Sequence, residues 1–290
     1  MPHLFCFGFG YTARALAKRL AAGWRVSGTC RNPEAAAALI SEGCAALPFA
    51  RGRPLPLGAL AGVTHVLVSI PPETEGDPVL DLHGADVAAL PGLAWVGYLS
   101  TTGVYGDRGG AWIDESAPLA PTGARSRRRV AAEAGWLALW REQGVPVHVF
   151  RLAAIYGPGR SPFAALRAGT ARRIDKRGQV FSRIHIADLA AVLSASIARP
   201  RPGAVYNLCD DAPAAPADVV AYAAGLLGLP PPPLVPLAEA GLSPLAESFY
   251  ADNKRVANAL VKRELGIRLR YPDYRAGLTA IHAAELSEGR

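Results

Sequence analysis

The sequence has few lysines and no platform of basic and aromatic residues. Lysine supplies four of its 31 basic residues, at positions 18, 176, 254 and 262, so the net charge of +7 comes almost wholly from arginine. Because the arginines are dispersed and no aromatic residues interleave them, we do not expect a nucleic-acid-binding protein. The densest cluster, Arg125 to Arg129, is a candidate anion site.

The four cysteines form no C-x-x-C pair and have no histidine at metal-ligand spacing. We therefore expect no metal site and a reducing compartment. No apolar run approaches the length of a membrane span, and no positively charged segment precedes the strand predicted from His3. We expect neither a signal peptide nor a membrane anchor, and we predict a cytoplasmic protein.

The first thirty or so residues predict the start of a dinucleotide-binding βαβ unit. A strand (His3 to Phe7) leads into a glycine turn, a helix (Ala13 to Ala22), a break at Gly23 and a second strand (Arg25 to Cys30). A G-x-G-x-x-A pattern between a strand and an amphipathic helix has the context that this motif requires. The alternative is a tight turn with a purely structural role.

Each residue of the glycine turn has a physical reason for its place. Gly8 permits a sharp turn, Gly10 permits the backbone to approach a pyrophosphate, and the small Ala13 permits close packing of the helix on the sheet. The phosphates then face a helix N-terminus, which favours anions. We expect the cofactor to contact a continuous segment of this turn, namely Gly8, Phe9, Gly10, Tyr11 and Thr12.

The end of the second strand favours NADP over NAD. NAD-binding proteins usually place a carboxylate there to hold the ribose 2′-hydroxyl, but this chain has none before Glu34. The guanidinium of Arg31 can donate charge-assisted hydrogen bonds to a 2′-phosphate. We therefore predict that Arg31 and Asn32 contact the adenosine side. The alternative is that Arg31 is one of many solvated arginines.

The next elements alternate between helix and strand, which predicts an α/β protein with a parallel sheet. We predict helices at Glu34 to Glu42, Asp81 to Ala89, Val130 to Gln143 and Asp218 to Leu227, and strands at Ala45 to Phe49, Val63 to Ile70, Ala94 to Leu99, Val147 to Leu152 and Val205 to Leu208. The apolar run that begins at Val63 is typical of a strand covered on both faces. It ends at Ser69, Ile70 and Pro71, which we expect beside the adenosine half of the cofactor.

Several motifs occur in a fixed order along the chain: Ser100-Thr-Thr-Gly-Val-Tyr-Gly-Asp107, Arg151-Leu-Ala-Ala-Ile-Tyr-Gly-Pro-Gly159, Arg183-Ile-His-Ile-Ala-Asp188, Val205-Tyr-Asn-Leu208 and Glu264-Leu-Gly266. Together with the N-terminal glycine turn, their order and spacing resemble the extended short-chain dehydrogenase/reductase superfamily, which includes nucleotide-sugar epimerases and dehydratases. The resemblance implies a Rossmann-type doubly wound parallel sheet with a small C-terminal substrate lobe. It implies an NAD(P)-binding domain over residues 1–158 and a mostly substrate-side lobe over 159–290, with 180–208 returning to the main sheet.

The resemblance also assigns catalytic positions. The hydroxyl residue four before the Tyr of V-Y-G polarises the substrate oxygen in that superfamily, and here it is Thr101. The chain departs at the Tyr-x-x-x-Lys pair, because counting back from Glu133 places Arg129 at the Lys position and Arg125 at the Tyr position. A guanidinium stays protonated near neutral pH, so Arg125 cannot replace the acid/base phenol. The alternative for Arg125 to Arg129 is a solvated first turn of a helix.

Other polar side chains near these motifs have structural interpretations. Tyr105 and Tyr156 could replace the missing proton donor, but an aromatic side chain packed to close a loop is the expectation for each. We expect His185 to be a packed, hydrogen-bonded histidine and Asp188 to cap a helix that begins at Leu189.

The leading hypothesis is an NADP-binding oxidoreductase or epimerase-like enzyme with a degenerate active site, acting on a small carbonyl or sugar-like metabolite. The alternative is a non-catalytic NADP(H)-sensing or scaffold protein, since the Tyr and the Lys are lost together. Members of this superfamily commonly dimerise through two helices, so the resemblance also implies a possible homodimer.

Overall fold

The computed structural model describes residues 1–20, 22–41 and 44–288. In chain order the strands are β1 (His3–Phe7), β2 (Arg25–Cys30), β3 (Ala45–Pro48), β4 (His65–Val68), β5 (Trp95–Thr101), β6 (Trp112–Ile113), β7 (Val147–Leu152), β8 (Ala154–Tyr156), β9 (Arg173–Asp175), β10 (Arg183–His185), β11 (Val205–Leu208), β12 (Leu234–Pro236) and β13 (Arg255–Val256). The bounds of β1, β2, β7 and β11 are those predicted from the sequence.

The α-helices are α1 (Tyr11–Arg19), α2 (Pro33–Ser41), α3 (Pro78–Ala88), α4 (Ala124–Gln143), α5 (Phe163–Arg167), α6 (Ile186–Ala198), α7 (Pro216–Leu226), α8 (Pro244–Tyr250), α9 (Ala259–Leu265) and α10 (Tyr274–Glu288). The predicted helices at Ala13 to Ala22 and Glu34 to Glu42 include Ala21 and Glu42, which lie outside the described residues. The prediction that α4 begins at Val130 is wrong, because the arginine-rich segment before it already belongs to the helix.

The main sheet has seven strands in the order β11-β7-β5-β4-β1-β2-β3. The strands β3, β2, β1, β4 and β5 pair in parallel along this order. The order reverses between β1 and β4, as it does at the switch point of a doubly wound Rossmann sheet. The predicted α/β fold of Rossmann type is therefore confirmed, and ligands of such sheets bind at the carboxyl ends of the strands beside the switch point.

The chain divides into two compact units. Unit 1 contains Met1–Val104, Ala124–Arg151 and Ala190–Tyr206, and its core packs apolar strand residues such as Phe5, Val66 and Val96 around the buried Trp136. β1, β4 and β7 are buried along their whole length. Such continuous burial is what helices on both faces of a parallel sheet produce.

Unit 2 contains Tyr105–Gly123, Leu152–Leu189 and the chain from Asn207 onward. Its core joins β8, α5, α7 and α10 through Tyr156, Phe163, Ala223 and Leu278. Three short parallel pairs, β8 with β10, β9 with β12 and β6 with β13, belong to this unit. Within the described ranges, no helix combines the length and apolar character needed to cross a bilayer.

Candidate functional site

The first candidate site surrounds the glycine turn after β1. Gly8 has a φ of +90°, and its N–H donates to Thr29 Oγ1 at 2.8 Å. The next N–H, of Phe9, donates to Thr29 O at 2.7 Å. From β4, the hydroxyl of Ser69 donates to Gly8 O at 2.7 Å. A Cβ on Gly8 would lie 2.6 Å from that hydroxyl, so both φ and space require glycine here.

The turn ends at the uncapped N-terminus of α1. Gly10 occupies the N-cap position without a side-chain hydrogen bond, and the first turn contains no acidic residue. Gly10 is exposed, and a Cβ placed there would meet nothing within 4 Å. Ala13 is fully buried, as its predicted packing role requires. Because the first turn of a helix directs N–H groups and partial positive charge outward, this end suits an anion.

Arg31 and Asn32, the two residues after β2, differ in their contacts. Arg31 is exposed and forms no hydrogen bond or ion pair with any residue in the described ranges. Asn32 Oδ1 accepts the N–H of Ala35 at 2.8 Å, and this contact caps α2. The side-chain oxygen of Asn32 is therefore committed to α2, whereas the guanidinium of Arg31 is available to an anion.

The end of β4 lies at the same edge of the sheet, because Phe7 of β1 pairs with Val68. Ser69 binds both Gly8 O and Phe7 O through its hydroxyl, the second at 3.1 Å, so it holds the glycine turn in place. Ile70 is half-buried and Pro71 is exposed. The contact of these residues with a cofactor stays a prediction, whereas the hydrogen bonds of Ser69 show that it holds the turn.

The end of β5 carries the Thr101 hydroxyl. Thr101 Oγ1 accepts the N–H of Gly103 at 3.1 Å. This contact uses a lone pair of the oxygen and leaves the hydroxyl proton to donate elsewhere. Thr101 is half-buried at the carboxyl end of its strand. Thr101 therefore combines a local turn contact with a hydroxyl proton that can still be donated.

The arginine cluster on α4 is divided in its contacts. Arg129 Nη1 donates to Leu99 O at 2.5 Å and to Tyr98 OH at 3.2 Å, so its guanidinium packs against β5. Arg128 Nη1 donates to Thr74 Oγ1 at 2.9 Å. Arg125, at the Tyr position, is exposed. The Lys-position arginine thus faces the sheet, while the Tyr-position arginine faces solvent.

A buried ion pair that sequence reasoning missed lies beneath this edge. Glu133 and Arg151 are 2% and 6% exposed, and Arg151 Nη2 donates to Glu133 Oε2 at 2.8 Å. The hydroxyl of Ser100, which precedes Thr101, donates to Glu133 Oε1 at 2.5 Å. The motifs around Ser100 and Arg151 and the position of Glu133 were each recognised in the sequence. The sequence did not show that Ser100, Glu133 and Arg151 contact one another.

The two tyrosines considered as proton donors have structural partners within unit 2. The buried Tyr105 donates its phenol proton to Asn207 Oδ1 at 2.7 Å. Tyr156 donates to Asp273 O at 3.2 Å, and burial raises the pKa of its phenol. The expectation of packed aromatic residues is therefore confirmed for both.

The histidine and aspartate of the Arg183–Asp188 motif have different outcomes. His185 is 4% exposed, and its Nδ1 accepts the N–H of Ala187 at 3.2 Å. Burial lowers the pKa of its ring to about 4. The burial and the Nδ1 contact confirm a packed, hydrogen-bonded histidine. The prediction that Asp188 caps a helix at Leu189 is wrong. Asp188 lies inside α6, and its carboxylate accepts the N–H groups of Arg270 and Tyr271 at 2.8 and 2.9 Å.

Among the residues that the structure describes, no three His, Cys, Asp or Glu side chains come together in a way that could hold a metal ion.

Comparison with known proteins relates this geometry to a family. The family model of the NAD dependent epimerase/dehydratase family matches residues 85–209. Protein YeeZ of Escherichia coli (strain K12) is 28% identical over 288 residues, covering 94% of this chain and 97% of YeeZ. A functionally unknown conserved protein from Silicibacter pomeroyi DSS is 55% identical with a TM-score of 0.91, covering 98% of this chain and 99% of its own.

A dTDP-glucose 4,6-dehydratase from Bacillus anthracis str. Ames, solved in complex with NAD, has a TM-score of 0.78 at 17% identity. It covers 99% of this chain and 97% of its own, so it shares the fold. The family match includes β5, the Thr101 hydroxyl, the α4 arginines and the Glu133–Arg151 pair. Over residues 85–209, the chain is similar to the NAD dependent epimerase/dehydratase family.

Proposed function

We propose that this protein is an NADP-binding oxidoreductase or epimerase-like enzyme of the extended short-chain dehydrogenase/reductase superfamily, acting on a small carbonyl or sugar-like metabolite. The observation that carries the proposal is the edge formed by the uncapped α1 N-terminus and the guanidinium of Arg31, which has no partner among the described residues. The helix end suits the pyrophosphate, and the guanidinium suits a further phosphate. The assignment of residues 159–290 mostly to the substrate side stays a prediction.

The residues present fit such a cofactor. The space over Gly10 is open, so a pyrophosphate can approach the backbone without displacing a side chain. No carboxylate lies between the end of β2 and Glu34 to repel a 2′-phosphate. The Bacillus anthracis dehydratase was solved with NAD. The proposed preference of the present chain for NADP rests on Arg31 and on the lack of a carboxylate before Glu34.

When bound, the nicotinamide would supply or accept a hydride. The chain's own contribution begins with Thr101, whose free proton can be donated to a substrate oxygen. Arg129 places a positive charge on the β5 edge through its contact with Leu99 O. The Ser100–Glu133–Arg151 contacts hold the last residues of β5 in position. The acid/base phenol of the superfamily is replaced by Arg125, so the proton donor is unassigned.

The second candidate function is a non-catalytic NADP(H) sensor or scaffold. The observation that favours it is the loss of the acid/base phenol at Arg125, while Tyr105 and Tyr156 are both committed to structural hydrogen bonds. A sensor needs the nucleotide site and the fold, and it needs no proton donor.

Nucleotide binding and turnover separate these proposals. Titration with NADPH and NADH, followed by nicotinamide fluorescence, should show binding with a preference for NADPH. NADPH oxidation across a panel of aldehydes, ketones and nucleotide sugars, abolished by Thr101→Ala with NADPH binding retained, would support the enzyme. Tight binding without turnover across the panel would favour the sensor. Absence of binding to either nucleotide would contradict both.

A further inference from the structure

The hydroxyl groups of Thr101 and Ser126 both lie close to Gly103, which follows β5. A Cβ placed on Gly103 would lie 2.8 Å from Ser126 Oγ and 3.4 Å from Thr101 Oγ1. The backbone of Gly103 does not have a positive φ, so its conformation does not require glycine. A side chain at this position would instead crowd the Ser126 hydroxyl.

Ser126 projects from α4 toward the sheet. Residues at spacings of three and seven share a helix face, so Ser126 lies on the same face as Arg129 and Glu133. Those two contact Leu99 and Ser100 of β5, which shows that this face covers the strand. Ser126 is accordingly half-buried, whereas Arg125 is exposed.

The hydroxyls of Thr101 and Ser126 can both donate a hydrogen bond to a ligand beside Gly103. Ser126 forms no hydrogen bond to any residue whose position the structure describes, so its proton and lone pairs are available. Thr101 accepts from Gly103 N–H and retains its own proton as a donor. Two hydroxyl donors that both lie within 3.4 Å of the same Cβ position are suited to bind a single oxygen atom near it.

The charges nearby favour negative charge on that oxygen. Ser126 is the third residue of α4, a helix of 20 residues with no acidic residue in its first turn. The partial positive charge of a helix N-terminus stabilises anions. Arg129, one turn along α4, adds a full positive charge on the same face.

We propose that Thr101 and Ser126 together hold an oxygen atom of the substrate, a carbonyl or sugar hydroxyl oxygen, beside Gly103. This inference rests on the proposed function and adds a second hydroxyl to the site. Ser126 directly follows Arg125, the residue at the Tyr position, and it restores a hydroxyl to the helix turn that lost the phenol. An aliphatic hydroxyl is a weak acid, so its role is hydrogen-bond donation to the oxygen.

Crystals of the full chain, with and without NADPH, soaked in 2-propanol test the oxygen site directly. In the parent protein we expect an oxygen of 2-propanol or water within about 3.2 Å of both Thr101 Oγ1 and Ser126 Oγ. Ser126→Ala should lose this oxygen, and Gly103→Ala should expel it while leaving both hydroxyls present. Ser41→Ala, an exposed helix serine bound to its own helix, should retain it.

Absence of a bridging oxygen in the parent crystals, or a direct hydrogen bond between the two hydroxyls, would overturn the inference. The nucleotide-free crystals give this answer even where NADPH fails to bind, so failure of the proposed function is recognised separately. A double-mutant cycle adds a check in solution. Gly103→Ala should destabilise the parent more than it destabilises Ser126→Ala, because the 2.8 Å contact is then absent. Equal effects would contradict the geometry.

Discussion

Glycine and arginine residues at the candidate site are distinguished by their immediate surroundings. Gly8 is required by its positive φ and by the nearby Ser69 hydroxyl. A Cβ on Gly28 would lie 2.6 Å from Cys6 O, so that glycine serves strand packing. Gly10 has neither reason, because its surroundings are empty. In the same way, Arg129 is held by β5, and Arg31 has no partner in the described parts of the chain.

Replacing Arg31 tests the choice of cofactor. Arg31→Ala should weaken NADPH binding by about 1.5–3 kcal/mol, the scale of a hydrogen bond to a charged group, which is roughly 10-fold to 150-fold in Kd. NADH carries no 2′-phosphate, so its affinity should not change. Fluorescence titration of both nucleotides measures the difference.

Arg25→Ala is the matched control, because Arg25 is also exposed but begins the strand after which Arg31 follows. The control should leave both affinities unchanged. Equal loss of NADPH and NADH affinity in Arg31→Ala would contradict a 2′-phosphate contact.

How far single residues could be predicted depended on whether their role is local. The glycine turn follows from spacing along one strand and one turn, and the Thr101 hydroxyl follows from the resemblance of its motif to the superfamily. Ser126 and the Glu133–Arg151 pair depend on which face of α4 meets β5 and β7. Because the predicted helix began only at Val130, the helix face of Ser126 could not be assigned. Only the alternative interpretation of Arg125 to Arg129 placed this segment in a first helical turn.

At the scale of elements, buried strands were predicted more accurately than helix starts. β1, β2, β7 and β11 are short segments between clear breaks. Several helices begin earlier than predicted because a proline occupies the first helical position, at Pro33, Pro78 and Pro216. Proline is favourable there, since the N–H it lacks has no helical partner. At α3, Asp77 adds the cap, accepting from Val79 N–H at 2.9 Å.

α4 begins at Ala124, earlier than the predicted Val130, for a different reason. Its first turn has no apolar spacing to signal a helix, but arginine and alanine are good helix formers. The whole helix is then fixed to the sheet by Glu133, which meets Arg151 of β7 and Ser100 of β5. Periodicity alone could not show a helix start whose residues are mostly charged.

The buried ion pair should contribute strongly to the attachment of α4. Glu133→Gln leaves the guanidinium of Arg151 without its counter-charge, and we expect a loss of about 3–5 kcal/mol in the free energy of unfolding. Urea denaturation measures this loss. Glu142→Gln, an exposed position on the same helix, should change stability by less than about 0.5 kcal/mol.

The paired replacement of Glu133→Leu with Arg151→Met gives a further check, because it removes both charges together. We expect this double variant to recover most of the stability that Glu133→Gln loses. A single variant as stable as the parent would contradict the assignment of Glu133 as a buried, paired carboxylate.

The stability of the molecule should depend on pH through His148. This ring is fully buried, with Nε2 accepting Arg201 N–H at 2.8 Å and Nδ1 facing Val96 O at 3.3 Å. Both contacts are satisfied by the neutral ring, and burial lowers its pKa to about 4 from 6.5. Between these values the unfolded chain binds more protons. Stability should therefore fall as pH falls through this window, by about 1.4 kcal/mol per pH unit from His148.

Unfolding of the parent and of His148→Gln, measured from about pH 8 down to about pH 4.5, isolates this contribution. Above the unfolded pKa of 6.5 the two stability curves should run parallel, which serves as the internal control. Below it the parent should lose stability faster than the variant. Parallel curves over the whole range would show that His148 titrates normally.

Nucleotide binding should stabilise the whole molecule, and Gly10 offers a way to separate binding from folding. In the parent, NADPH at about 100 times its Kd should raise the free energy of unfolding by about 2.7 kcal/mol. Gly10→Ala should cost the free protein less than about 1 kcal/mol, because the added Cβ meets nothing within 4 Å and the position has no side-chain cap to lose. The same methyl group would stand where a pyrophosphate must approach, so most of the NADPH stabilisation should disappear.

Thermal melts with and without NADPH measure both quantities on one sample. Gly28→Ala is the contrasting variant, since its Cβ would collide with Cys6 O and should destabilise the free protein by about 1–3 kcal/mol. Gly10→Ala with an undiminished NADPH shift would mean that the phosphates do not approach the start of α1. Because the surroundings of Gly10 in the free chain give no other reason for glycine, loss of that shift would identify the ligand as the reason.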